Sequence, residues 1–86
     1  MTYEVRLSKR ALRELLALQQ PTRSRIVERL EQLKDDPLPR GVAKLQGRQD
    51  LYRVRVCDYR ILYEVFRDEG LVLVEKVDHR GNVYGP

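Results

Sequence analysis

Apolar and polar residues alternate at the start of the chain. From Thr2 to Leu7, Tyr3, Val5 and Leu7 fall on one side and Glu4 and Arg6 on the other, the period-two pattern of a strand with one wet face. The period then changes. Ser8 is a good N-cap, and from Lys9 to Leu18 the residues Ala11, Leu12, Leu15, Leu16 and Leu18 recur at helical spacing, with Lys9, Arg10, Arg13 and Glu14 mostly outside. Gln19, Gln20 and Pro21 make a short connection. Ile26, Val27, Leu30 and Leu33 then mark a second helix, with Glu28, Arg29, Glu31 and Gln32 outside and Pro37 as its stop. Two amphipathic helices joined so briefly lie side by side and roughly antiparallel. Their apolar stripes need a sheet to cover.

Between Asp35 and Asp50 the spacing of Pro37, Pro39, Gly41 and Gly47 predicts an exposed connection without regular structure. It leads into LYRVRVCDYRILYEVF, residues 51–66, which reads as two strands folded back on each other. With Cys57 and Asp58 as the two central turn residues, Val56 faces Tyr59, Val54 faces Ile61 and Tyr52 faces Tyr63, all on one apolar face. The same register sets Arg55 opposite Arg60, a like-charge pair that works against folding unless something anionic resolves it. Cys-Asp lacks the glycine that a two-residue hairpin prefers, and an odd loop length would exchange the faces. Beyond a turn at Asp68, Glu69 and Gly70, the unbroken run Leu71–Val74 suggests a strand internal to the sheet. Glu75 to Arg80 carry it toward solvent. The predicted order is βααβββ, an α+β fold with a small antiparallel-rich sheet and a helical hairpin on one face.

Eighty-six residues predict one domain, residues 1–86, with a core large enough to fold alone. No apolar run approaches the length that spans a bilayer, and the first residues do not resemble a secretory signal. A single cysteine, Cys57, cannot form an internal disulfide, which fits a reducing cytoplasm. The net charge of +4 gains meaning from its location. Of 17 Lys and Arg and 13 Asp and Glu, the stretch 40–60 holds Arg40, Lys44, Arg48, Arg53, Arg55 and Arg60 against Asp50 and Asp58, and the remainder is balanced. Such a concentrated excess is the footprint of a phosphate-binding surface, although a solvated basic face would read the same way.

The helices of so small a fold cover one sheet face, which leaves the arginine face open as the place for a site. Candidates are Arg53, Arg55, Arg60, His79, Arg80 and Tyr84. One histidine and no paired cysteines offer no metal cluster; no Ser/His/Asp set or glycine-rich phosphate loop is evident, and no cofactor is expected. Arginines with one histidine suit phosphoryl chemistry on RNA without metal, because the 2′-hydroxyl is the nucleophile and guanidiniums absorb charge on the phosphorane. Arginine cannot move protons, whereas a histidine of ordinary pKa can. Equally, a lone histidine at a strand end is often a surface residue, and Tyr84 can fold back on apolar surface.

In SKRALREL, Lys44-Leu45-Gln46-Gly47, LYRVRVCDYRILYEV and VDHRGNVY, taken in order, the chain resembles the RelE branch of the RelE/ParE toxin superfamily along nearly its whole length. The resemblance implies the toxin of a type II toxin–antitoxin pair, a ribosome-dependent endoribonuclease (mRNA interferase) that cuts mRNA in the A site. It implies basic strand positions at Arg53 and Arg55, a transition-state arginine at Arg60, a C-terminal basic pair at His79 and Arg80, and a base-stacking Tyr84. The basic connection, with Arg40, Lys44 and Arg48, is then an RNA and ribosome contact, and a RelB-like antitoxin is the partner, laid over the basic face or the helical hairpin. Well-known relatives carry lysines where Arg53 and Arg55 stand, which throws proton transfer onto His79. The sequence ends soon after Tyr84, without the C-terminal helix that antitoxins displace in some relatives. Two other readings share the fold: a ParE-like DNA gyrase inhibitor, and a noncatalytic ribosome- or nucleic-acid-binding module.

Overall fold

A computed structural model describes residues 2–45 and 50–79. Strand β1 (Glu4–Leu7) is followed by helices α1 (Lys9–Leu16) and α2 (Thr22–Leu33), a short strand β2 (Ala43–Lys44), the hairpin β3 (Leu51–Val56) and β4 (Tyr59–Phe66), and β5 (Leu71–His79). The five strands form one sheet in the order β1-β5-β4-β3-β2. All neighbours are antiparallel except β1 and β5, whose ladder runs parallel from Glu4 opposite Leu71 to Leu7 opposite Val74. The α+β arrangement and the internal place of the last strand match the sequence pattern. One element departs from it. Ala43 and Lys44, expected within an irregular connection, pair with Arg53 and Tyr52 as a fifth strand.

Local chemistry sets the helix boundaries. The Ser8 hydroxyl accepts from the Ala11 N–H at 3.0 Å and so caps α1. Pro21 has no capping side chain, and the Gln20 side-chain oxygen takes its place, accepting from the Ser24 N–H at 3.0 Å and the Ser24 hydroxyl at 2.6 Å. Ala11, Leu15, Ile26, Leu30 and Leu33 pack from the helices onto Tyr52, Val54, Ile61, Tyr63, Val65, Val72, Val74 and Val77. Burial of these side chains drives folding. The helical stripes are only half used, however. Leu12, Leu16 and Val27, expected to face the sheet, are 48%, 62% and 41% exposed, because a helix pair over five strands turns only its innermost positions inward.

The hairpin register is the one that a two-residue turn at Cys57-Asp58 requires: Val56 opposite Tyr59, Arg55 opposite Arg60, Val54 opposite Ile61 and Tyr52 opposite Tyr63. Cys57 takes φ +55°, supplying the positive dihedral that glycine provides in most such turns. On the other side of β4 the ladder contains a bulge. Tyr63 faces Val74 but Leu62 faces Lys76, so Glu75 is an extra residue in β5. Helix α1 holds this bulge from both sides. The Ser8 hydroxyl donates to the Glu75 carbonyl at 2.8 Å, and a Glu14 carboxylate oxygen accepts from the Val77 N–H at 2.8 Å.

Tyr63 is fully buried, and its hydroxyl donates to the Pro37 carbonyl at 2.7 Å, tying the connection after α2 to the core. Burial first, and then the nearby Asp36 charge, push this phenol above its ordinary value of 10.0. Folded and unfolded states are both protonated below that pH, where the contribution is intact. Above it the unfolded chain loses its proton first and stability falls. Tyr63→Phe is therefore expected to lower the free energy of unfolding at neutral pH by about 1–2 kcal/mol and to flatten the fall in stability above pH 10.0, both measurable by urea unfolding across pH.

Candidate nucleic-acid interface

Residues paired directly across a ladder share a sheet face, so the register assigns every strand side chain to a side. Tyr52, Val54, Ile61, Tyr63 and Val77 lie under the helices. Arg53, Arg55 and Arg60 lie on the opposite face, with Ala43, Leu62 and Asp78 as ladder partners. Three of the expected site residues are thus brought together. With Gly41 and Ala43 they line one pocket of about 170 Å³. Arg55 is exposed, and Arg53 and Arg60 are half-buried.

The small residues of this pocket went unnoticed in the sequence. Gly41 adopts φ +90°, which returns the chain after Pro39 toward β3 and brings Ala43 alongside Arg53. A larger side chain at position 43 would fill space between the guanidiniums, and the available signal was the glycine two residues before a lone alanine. Carboxylates border the cluster as well. Asp78 stands across the ladder from Arg60 and binds the Lys76 ammonium at 3.1 Å, while Arg10 reaches it from α1 at 3.9 Å. Not all of the face is wet, either: Leu51 and Leu62 are buried on it.

His79 requires a correction. A simple alternation from Val72 and Val74 puts residues 76 and 78 under the helices and His79 among the arginines. The bulge at Glu75 reverses this, since one inserted residue exchanges the faces of all that follow. His79 instead pairs with Tyr59 on the helix side of the sheet, its ring edge-on to that tyrosine with centroids 5.2 Å apart. Lys44 belongs to the basic connection. It is exposed, but pairs with Tyr52 and so lies on the opposite face from the arginines. Arg40 is exposed beside Gly41. Arg48, Arg80 and Tyr84 lie outside the described residues.

Guanidiniums converging on a shallow pocket can bind a phosphate by paired, charge-assisted hydrogen bonds and can stabilise added negative charge on it. They cannot take up a proton at any physiological pH. The described part of the pocket is thus an electrostatic site that lacks an acid–base group of its own.

A family model described as the ParE toxin of the type II toxin–antitoxin system parDE matches residues 5–84. The chain is 30% identical to toxin RelE1 of Methanocaldococcus jannaschii over 87 residues, covering 98% of this chain and 97% of that protein. Among solved structures, a chain of the archaeal RelE–RelB complex from Pyrococcus horikoshii OT3 superposes with a TM-score of 0.84 at 34% identity, covering 96% of this chain and all of that one. A chain of the RelBE2 complex from Mycobacterium tuberculosis gives 0.80 at 30% identity, covering 93% and 100% respectively.

The cross-strand Arg55–Arg60 pair sets two like charges opposite each other, at a cost to the fold. Replacing Arg55 by Thr is expected to raise stability by about 0.2–1 kcal/mol at low salt, and the gain should shrink as salt screens the repulsion. Chemical denaturation at two ionic strengths measures both.

Proposed function

Because the chain belongs to the RelE/ParE toxin family of type II toxin–antitoxin systems, we propose that it is a ribosome-dependent endoribonuclease acting on mRNA in the A site. The observation that carries this reading is the convergence of Arg53, Arg55 and Arg60 on one open pocket. In the proposed reaction a ribose 2′-oxygen attacks the adjacent phosphorus as its proton leaves. The bond to the 5′-oxygen breaks and that oxygen gains a proton, leaving a 2′,3′-cyclic phosphate and a 5′-hydroxyl. The arginines hold the phosphate and carry the charge that builds on its non-bridging oxygens. Proton transfer falls outside the cluster, since His79 stands across the sheet from it.

Purified protein incubated with programmed ribosomes should give cleaved mRNA bearing those ends, and intact mRNA at high protein concentration would sink the reading. Arg60→Ala is expected to slow cleavage by about 10²–10³-fold, the usual loss when one donor to a developing oxyanion is removed. His79→Ala should slow it by less than about tenfold, at least an order of magnitude below that loss, as expected of a group outside the charge-stabilising cluster. The ParE description of the matching family favours a second reading, inhibition of DNA gyrase. In that case Arg60→Ala would remain toxic and a supercoiling assay, not mRNA, would respond.

The partner in this reading is an antitoxin. Leu15, Leu16 and Val27 line an apolar groove of about 450 Å³ along the helical hairpin, with Arg23 and Glu28 at its rim. Exposed apolar side chains gathered in this way favour an amphipathic segment laid along the helices. Leu16→Glu with Val27→Glu is expected to abolish copurification with the antitoxin encoded beside the gene while cleavage persists.

A further inference from the structure

The arginine pocket does not end at the open face. Strand β2 pairs with β3 only at Tyr52 and Arg53, so among the described residues the far end of β3, from Val54 to Val56, is a free sheet edge. Arg55 sits on this edge and lines two pockets. One is the pocket shared with Arg53 and Arg60. The other, of about 300 Å³, lies on the helix side, where Arg55 and Val56 meet Arg25, Glu28, Arg29 and Gln32 of α2.

Arg25 and Arg29 are one helical turn apart, so both project from the same side of α2 toward the edge. Their polar partners are weak or neutral. Arg25 donates to the Cys57 sulfur at 3.7 Å and Arg29 to the Gln32 side-chain oxygen at 2.9 Å. Among the described residues neither they nor Arg55 forms an ion pair with a carboxylate. Three guanidiniums therefore face one carboxylate, Glu28, in a concave site that shares Arg55 with the proposed reaction pocket.

We propose that Arg25, Arg29 and Arg55 form a second phosphate subsite, which holds an RNA backbone phosphate outside the reacting one as the strand passes over the free edge of β3. The proposal rests on the RNA reading above. Arg55 is the hinge between the two subsites, which explains why a residue opposed to Arg60 across the ladder is placed where it can serve both. A neutral polar pocket would suffice to finish the surface of α2, whereas this one keeps three positive charges beside a single negative one. A backbone phosphate, with two non-bridging oxygens sharing one delocalised negative charge, is the ligand that guanidinium forks match. An acidic protein segment would meet the same charges, but it has no reason to share Arg55 with the pocket of Arg53 and Arg60.

The test measures binding without turnover. The first probe is a short fluorescein-labelled 2′-O-methyl oligoribonucleotide, which lacks the attacking hydroxyl. The second is ribosomes programmed with mRNA carrying 2′-O-methyl groups in the A-site codon. For the Arg25→Gln/Arg29→Gln variant, affinity should fall several-fold and the slope of log K against log salt should fall by about 1. Glu28→Gln should bind more tightly than the unaltered protein, a change of opposite sign that misfolding cannot produce. Loss with both probes assigns the phosphate to the substrate strand, and loss on ribosomes alone assigns it to ribosomal RNA; either supports the subsite. If the unaltered protein binds and the double variant keeps its affinity and slope, the subsite is overturned while the nuclease reading stands. The same result with loss of antitoxin copurification would mean that the pocket takes an acidic protein segment. Failure of the unaltered protein to bind either probe would remove the RNA reading and the subsite together.

Discussion

The two-residue turn at Cys57-Asp58 fixes the register of β3 against β4, and that register decides which face each side chain of the central sheet occupies. With an even loop, Tyr52, Val54, Ile61 and Tyr63 all point under the helices while Arg53, Arg55 and Arg60 all point away. A loop one residue longer or shorter would exchange the faces, burying guanidiniums at a cost no core of this size could offset. The turn is made by a cysteine in a left-handed conformation, so local chemistry does not favour it. Side-chain burial across the whole hairpin imposes it instead, as tertiary packing commonly overrides a local preference.

A second constraint acts at the other side of β4. The bulge at Glu75 needs partners for groups that the ladder no longer pairs, and α1 provides them through the Ser8 hydroxyl and the Glu14 carboxylate. Ser8 thereby serves the start of α1 and the turn in β5 at once. Glu14 also receives Arg10 at 3.0 Å, so the clamp is itself braced along the helix. Because the bulge lies between Val74 and Lys76, it separates the part of β5 that pairs with β1 from the part that reaches the arginine cluster.

These two constraints explain which parts of the molecule could be read from the chain. Alternation in residues 51–66 is strict and bounded by a turn, so the hairpin, its faces and the Arg55–Arg60 opposition followed directly. The arginine half of the site was legible for the same reason. His79 was not, because the bulge depends on contacts from Ser8 and Glu14, some 60 residues away, and nothing between Val72 and His79 marks it. Strand β2 was not legible either: a two-residue strand carries too little pattern to show that it pairs or which face Lys44 takes. The outward-facing Leu12, Leu16 and Val27 look like core residues at helical spacing, and only the width of the sheet beneath them determines that they are not.

The parallel pairing of β1 with β5 has one more implication, for the order of events during folding. The first strand finds its neighbour only in residues 71–74, more than 60 residues further along the chain. The helices and the central hairpin are built from contacts local in sequence, whereas contacts between segments as distant as these form late for entropic reasons. The wiring therefore makes closure of the β1–β5 seam a late step, after the helices and the central hairpin that carries the arginine cluster.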